Sequence, residues 1–202
     1  MKRIAILIPL VALGACGQGG PSYMPLVDEK EWNYREKSSF QDNVPTVRVG
    51  RKISVGGIEG RVLMSEAGES RLAWNKKRLI ASMLANTTFV PPIPLLIEDK
   101  IPEKKKLRDE EYVTADELPV KFESLGKTRH GLATLSQRRT MVQLVTGETN
   151  VVETVLKVQL DGTKDNVVLE LRTWFERGVG IVRQEQRTNR MLIVGIETVG
   201  IK

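Results

Sequence analysis

The chain reads as a mainly β protein built as an antiparallel meander, and three observations predict it. Val47, Val49, Arg51, Ile53 and Val55 alternate with Arg48, Gly50, Lys52 and Ser54, a clear period of two. Val167, Leu169, Leu171, Thr173 and Phe175 do the same against Val168, Glu170, Arg172 and Trp174. Short turn signals built from Gly, Asn, Asp and Ser separate such segments, and neither a strand–helix–strand period nor a fixed-length repeat is present.

Along the chain, the folded part is expected to begin at Tyr23-Met24-Pro25-Leu26. Trp32 and Tyr34 follow, two apart and so on one face of an extended strand. The strand over 47–55 turns at Gly56-Gly57 into a return strand over 58–65, and Ala67-Gly68-Glu69-Ser70 signals a turn before 71–75. Residues 76–84 admit two readings: Leu79, Ile80, Met83 and Leu84 fall on a helical stripe, and a strand fits nearly as well. Pro91-Pro92-Ile93-Pro94 imposes extended backbone leading into a buried strand at Leu95-Leu96-Ile97. The charge-dense stretch 98–111, part of a charged insertion around 98–118, reads as a solvated loop or short exposed helix. Strands are then expected over 120–130, 139–145, 151–160, 167–175, 179–187 and 191–199. Their turns fall at 146–150, at the Asp-Gly loop 161–166, at Arg177-Gly178 and at Thr188-Asn189.

Composition narrows the chemistry. The formal net charge is +6, spread out without a run of Arg, and the aromatics are few: three Trp, three Tyr and four Phe. Nucleic-acid binding would call for aromatics interleaved with a basic stripe, and none is present. His130 is the sole histidine and Cys16 the sole cysteine, so a two-histidine metal site and a disulfide within the domain are both excluded. A Ser-His-Asp triad would have to pair His130 with Ser124 or Ser136, and neither serine stands in a Gly-x-Ser-x-Gly turn. Glu29 with Glu31, and Glu110 with Glu111, read as surface charges rather than an acid–base pair. The glycines at 56–57 and 178–180 lack the strand-to-helix setting and the Lys-Ser/Thr of a phosphate loop. We therefore expect no catalytic residue, no metal and no cofactor, and assign no residue to ligand binding from sequence.

The amino terminus is more specific. Lys2 and Arg3 precede the apolar run 4–13, and Leu13-Gly14-Ala15-Cys16 closes it. A positive start, a short apolar core and small residues make a secretory signal peptide, and the run is too short for the ~20 residues of a transmembrane helix. With Cys16 directly after Ala15, this resembles the lipobox of bacterial lipoproteins. That resemblance implies cleavage before Cys16 and lipidation of its sulfur and new amino group. Residues 1–15 would then be the signal peptide, 16–22 the lipidated cysteine with a flexible Gly-rich tether, and 23–202 a single β-rich domain. By the same resemblance Gly17, in place of an aspartate after the cysteine, points to the outer membrane facing the periplasm in a Gram-negative cell.

A second resemblance covers the two ends of the domain. Tyr23-Met24-Pro25-Leu26 with Trp32-Asn33-Tyr34 resembles the opening of exported bacterial proteins of unknown function, in which an aromatic, Pro and Leu precede a Trp-x-Tyr strand. The segment from Thr173-Trp174-Phe175 through Gly178-Val179-Gly180 to Gln184-Glu185 resembles their closing hairpin. Asp28-Glu29-Lys30 departs from the pattern, where a glycine often sits. The fold implied is a strongly curved, half-barrel-like antiparallel sheet with at most one or two short helices. Trp174 and Phe175 would sit on opposite faces, and Gly178 and Gly180 would supply turn geometry.

These readings lead to a non-enzymatic envelope lipoprotein, held to the membrane by its lipid and binding an apolar ligand or an envelope protein on the concave face. The apolar residues on both faces of 151–160 and 192–196 make a ligand cavity possible, and a filled core is the reading we favour. Two other functions are carried: an assembly accessory of a surface machine that uses the charged insertion as its contact, and, with least support, an envelope hydrolase. Replacing Cys16 with Ser is expected to leave the protein unprocessed or released from membranes, read by fractionation and intact mass. A variant still processed and lipidated would contradict the lipobox reading.

Overall fold

A computed structural model describes residues 22–37, 42–66, 68–102, 111–124, 126–161, 167–188 and 191–201. Cys16, its tether and the signal segment lie outside the described residues. Thirteen strands follow one another: β1 (Glu31–Lys37), β2 (Asp42–Asn43), β3 (Thr46–Val55), β4 (Ile58–Ser65), β5 (Gly68–Asn75), β6 (Arg78–Leu84) and β7 (Thr87–Ile97). A 3-10 turn at Glu98–Lys100 precedes β8 (Val113–Ser124), β9 (Lys127–Leu144), β10 (Gly147–Leu160), β11 (Val167–Glu176), β12 (Gly180–Thr188) and β13 (Met191–Ile201). Each strand from β3 to β13 pairs antiparallel with its sequence neighbour, and β13 pairs back onto β1, which in turn pairs β3. The sheet is thus a closed twelve-strand barrel, with β2 as a short extra rung on β1. The expected curved antiparallel sheet is present, and it curves until its two ends meet.

Closure rests on the first strand. Trp32 and Tyr34 are fully buried on its inner face, as their spacing predicts. The Trp32 indole Nε1 donates to the Val179 carbonyl at 2.7 Å, and the Tyr34 hydroxyl to the Ile181 carbonyl at 2.9 Å. The bonds reach over β13 to the turn before β12 and to β12 itself, so the polar ends of two large core side chains tie the first strand to the closing hairpin. Burial pushes the Tyr34 hydroxyl far above its ordinary pKa, which keeps it a donor. Gly180 makes this approach possible: its φ is +115°, and a Cβ there would lie 3.0 Å from Trp32 Nε1.

The segment before β1 covers one end of the barrel. Tyr23 and Met24 are buried in the main core. The Trp74 indole donates to the Met24 carbonyl at 2.8 Å, and Gly178 N–H to the Ser22 carbonyl at 2.8 Å. Arg177 lies over the Tyr23 ring at 4.9 Å. That end also carries the β3–β4, β5–β6, β9–β10 and β11–β12 turns, and the opposite end carries the β4–β5, β6–β7, β8–β9 and β12–β13 turns.

One seam of the ring is made by a side chain. β7 pairs with β8 only at Thr88, Phe89 and Val90, just before Pro91-Pro92-Ile93-Pro94. Prolines have no N–H to give a neighbour, so the ladder stops there. Further along, Gln137 of β9, completely buried, takes over. Ile97 N–H donates to its Oε1 at 3.2 Å, and its Nε2 donates to the Ile97 carbonyl at 2.8 Å. The primary amide thereby reproduces the two hydrogen bonds of a strand pair.

On the outside, β10 pairs with β11 only from Val152 onward, and the β9–β10 hairpin runs past that point. Val142, Leu144 and Val151 pack there against Trp174 and Val182. Val145 N–H at the tip donates to the Glu197 carboxylate of β13 at 2.7 Å. A bulge between Trp174 and Phe175 leaves Val182 as the extra residue of β12. Trp174 is buried in this outer cluster and Phe175 in the barrel core, as the sequence implies.

Several boundaries differ from the sequence reading. Residues 76–84 form a turn and then β6, because Leu79 and Ala81 both fill the core at a period of two. The strand expected over 120–130 is broken by the turn at Gly126, whose φ is +70°, and continues as the 18-residue β9, which absorbs the segment at 139–144. The stretch 98–118 becomes strand from Val113 onward. Gln137→Leu is expected to leave the buried Ile97 N–H and carbonyl unpaired, at about 1–3 kcal/mol for each group. In a chain of this size that lowers Tm by roughly 4–24 °C. Thermal unfolding followed by circular dichroism checks this, and an unchanged Tm would remove Gln137 from the seam.

Candidate functional site

Side chains from both walls leave a cavity of about 250 Å³ inside the barrel. Its walls come from β1, β3 to β7 and β11 to β13. The deep part, toward the covered end, is apolar: Met24, Leu72, Leu95, Leu171 and Ile181, with the body of Tyr34. Toward the opposite end the lining becomes polar, with Ser65 and Ser70 on β4 and β5, Thr87 on β7, and Gln184 and Gln186 on β12. Strand alternation explains the placement. Leu171 pairs with Gln186 and Thr173 with Gln184, so these glutamines share the inner face with the core leucine.

Size decides what such a space can take. A dry apolar cavity of ~150 Å³ accepts benzene, and pockets for drug-sized ligands begin near ~300 Å³. At the ~30 Å³ that a water takes in the liquid, this cavity holds roughly eight such groups. A chain of about eight carbons has a comparable volume.

The residues singled out in sequence do not assemble. His130 is exposed on β9, and Ser136 is six residues along the same strand, roughly 20 Å away at ~3.4 Å per residue. Ser124 belongs to the rung with Lys127, whereas His130 pairs with Lys121. Glu29 is exposed in a turn at φ +63°, and Glu31 is engaged by Arg48 at 3.0 Å. Glu111 is exposed, while Glu110 and most of the charge-dense stretch 98–111 lie outside the described residues. Among the described residues no three His, Cys, Asp or Glu side chains are grouped to hold a metal ion. Of the segments expected to offer apolar residues on both faces, 151–160 does: Val152, Leu156 and Val158 face the core, with Val151 and Val155 buried as well. No residue of 151–160 lines the cavity, whereas Ile196 of the 192–196 segment does; the side chains of 192–194 lie outside the described residues. No sequence signal marked Gln184 and Gln186, since an inward glutamine has the same pattern as any polar strand residue.

A second polar group sits on the outer wall. The Glu153 carboxylate, 2% exposed, receives Arg138 at 2.7 Å and the Tyr112 hydroxyl at 2.5 Å, and Arg172 stands 3.9 Å away. The Arg138 guanidinium also lies 4.5 Å from the centre of the Tyr112 ring. Burial first, then the hydrogen bond to Glu153, pushes the Tyr112 pKa up to about 12. On β12, burial alone would raise the Glu185 carboxyl, but hydrogen bonds from Arg183 and Arg187 outweigh it and hold it below the usual range. The Glu153 group satisfies itself and ties β9, β10 and β11 together, whereas Glu185 is held by two arginines of its own strand, of which Arg187 Nε has no partner among the described residues.

Because folding raises the Tyr112 pKa, the native state keeps a proton that the unfolded chain loses near pH 10. The stability linked to Tyr112 is therefore complete below about pH 10 and lost as pH climbs toward 12. Glu153→Gln is expected to bring the Tyr112 transition to lower pH, read as tyrosinate absorbance against a Tyr112→Phe control. An unmoved transition would show that Glu153 does not hold it.

No protein-family model matches the chain, and no curated protein sequence does. Two solved structures share its architecture. A candidate lipoprotein from Parabacteroides distasonis superposes with a TM-score of 0.52 at 13% identity, over 92% of this chain and 100% of that one. A candidate exported protein with a YmcC-like fold from Bacteroides fragilis gives a TM-score of 0.50 at 13% identity, over 90% and 99% of the two chains. At this identity the likeness is one of fold, and it extends over nearly the whole of each chain.

Proposed function

We propose that the protein is a lipid-anchored envelope lipoprotein whose barrel binds a small apolar ligand, without catalysing a reaction. The observation that carries the reading is the 250 Å³ cavity, apolar in its depth and polar toward one end. Burying a ligand methylene in such a lining is worth ~0.8 kcal/mol, so a chain of six to eight carbons gains several kcal/mol before ordering costs. The lipobox at Leu13–Cys16 supports the anchor, and two or more acyl chains hold a protein durably where one holds it marginally. The two structures of like fold, a candidate lipoprotein and a candidate exported protein, agree with an envelope location. Outer-membrane attachment facing the periplasm follows from Gly17 on the same reading.

A neutral fluorescent probe tests the cavity directly. N-phenyl-1-naphthylamine should brighten on binding the full-length protein, and Leu84→Trp, which places an indole in the cavity lining, should abolish the signal with Tm held within a few degrees. Native mass spectrometry of protein purified from membranes should show an added apolar mass in the wild type and not in the variant. Probe binding that ignores Leu84→Trp would place the ligand elsewhere.

A further inference from the structure

Resting on that reading, we infer that the ligand is an amphipath with an uncharged, hydrogen-bonding head, an alcohol or amide rather than a carboxylate. The lining carries the argument. Among the described residues around the cavity none is charged, and its polar groups are hydroxyls and primary amides grouped toward one end. They retain free capacity of both kinds. The Gln186 amide and the Thr87 hydroxyl have no side-chain partner among the described residues. Ser70 Oγ accepts from Ala85 N–H at 3.1 Å and keeps its own proton to donate. Gln184 Nε2 gives one of its two N–H groups to Thr173 Oγ1 at 3.1 Å, which leaves the other to donate and its carbonyl oxygen to accept. Ser65 Oγ donates to the Gly68 carbonyl at 3.3 Å and has lone pairs to spare.

A head group that both donates and accepts is matched by this set, with Gln186 able to do both at once. A carboxylate is not. It brings a charge into a site with no described cation, and it meets the Gln184 and Ser65 acceptors with no proton of its own. An unpaired buried charge is far costlier than an unpaired neutral group, and the usual outcome is that it takes up a proton. A fully apolar molecule would fill the depth and leave Gln186 and Thr87 unanswered.

The test compares four eight-carbon probes on the full-length protein: octane, 1-octanol, octanamide and octanoate, each by displacement of N-phenyl-1-naphthylamine. At pH 8, octanol and octanamide should displace it at least ~100-fold more effectively than octanoate. Octanoate should gain up to about tenfold in potency per pH unit as the pH falls from 8, levelling off below about 5, where the carboxyl holds its proton, while octanol stays constant over the same range. Gln186→Leu should weaken octanol and octanamide about tenfold, the worth of one hydrogen bond, and leave octane unchanged. Gln186→Lys should admit octanoate at pH 8. Octanoate matching octanol at pH 8 in the wild type would overturn the inference while leaving the apolar cavity standing. Displacement by none of the four would overturn the cavity reading itself.

Discussion

A ring of twelve strands is wide, and filling it is the constraint on which the other features of this molecule depend. Eight strands enclose a space that wall side chains fill unaided, and the diameter grows with strand number. Here large residues on the inner face, Trp32, Tyr34, Phe89, Phe122 and Phe175, take up much of the added width. The chain preceding β1 supplies Tyr23 and Met24 from one end. What this set does not occupy is the cavity between Leu72, Leu95 and Leu171, so the site is what remains of an interior that the wall only partly fills.

The same width explains why buried polar groups recur around the wall. A long closed ladder has to pass its weak points. At the prolines of β7 the backbone cannot continue the pairing, and Gln137 completes it with a side-chain amide. At the end of β11 the ladder bulges, and the outer hairpin covers Trp174. Glu153 joins the outer faces of β9 and β11 through Arg138 and Arg172. Each is a polar group with its partners supplied, the condition under which burial of such groups is tolerated.

Local chemistry made much of the fold legible. Period-two alternation located β3 and β11, and glycine pairs with positive φ located the β3–β4 and β11–β12 turns. Trp32 and Tyr34 announced a buried face. Contacts between distant residues were not legible. The pairing of β1 with β13 joins residues about 160 apart, and nothing in either strand names the other. The 76–84 segment was ambiguous because its apolar residues satisfy both periods, and the core settled it. Gln137 and Gln186 show the limit most clearly: two inward glutamines, on β9 and β12, one closing the sheet and one facing the cavity. Their difference lies in what stands opposite, which a linear pattern does not contain.

The meeting of β1 and β13 has a mechanical consequence. Trp32 stands opposite Ile201 and Lys37 opposite Gly195, so the strands that begin and end the barrel leave it at the same end. A pull between the two termini would load their hydrogen bonds one after another, like a zipper, instead of all at once in shear. A ring closed all the way round would open to force from that single edge, the first paired rung to be loaded being that between Trp32 and Ile201.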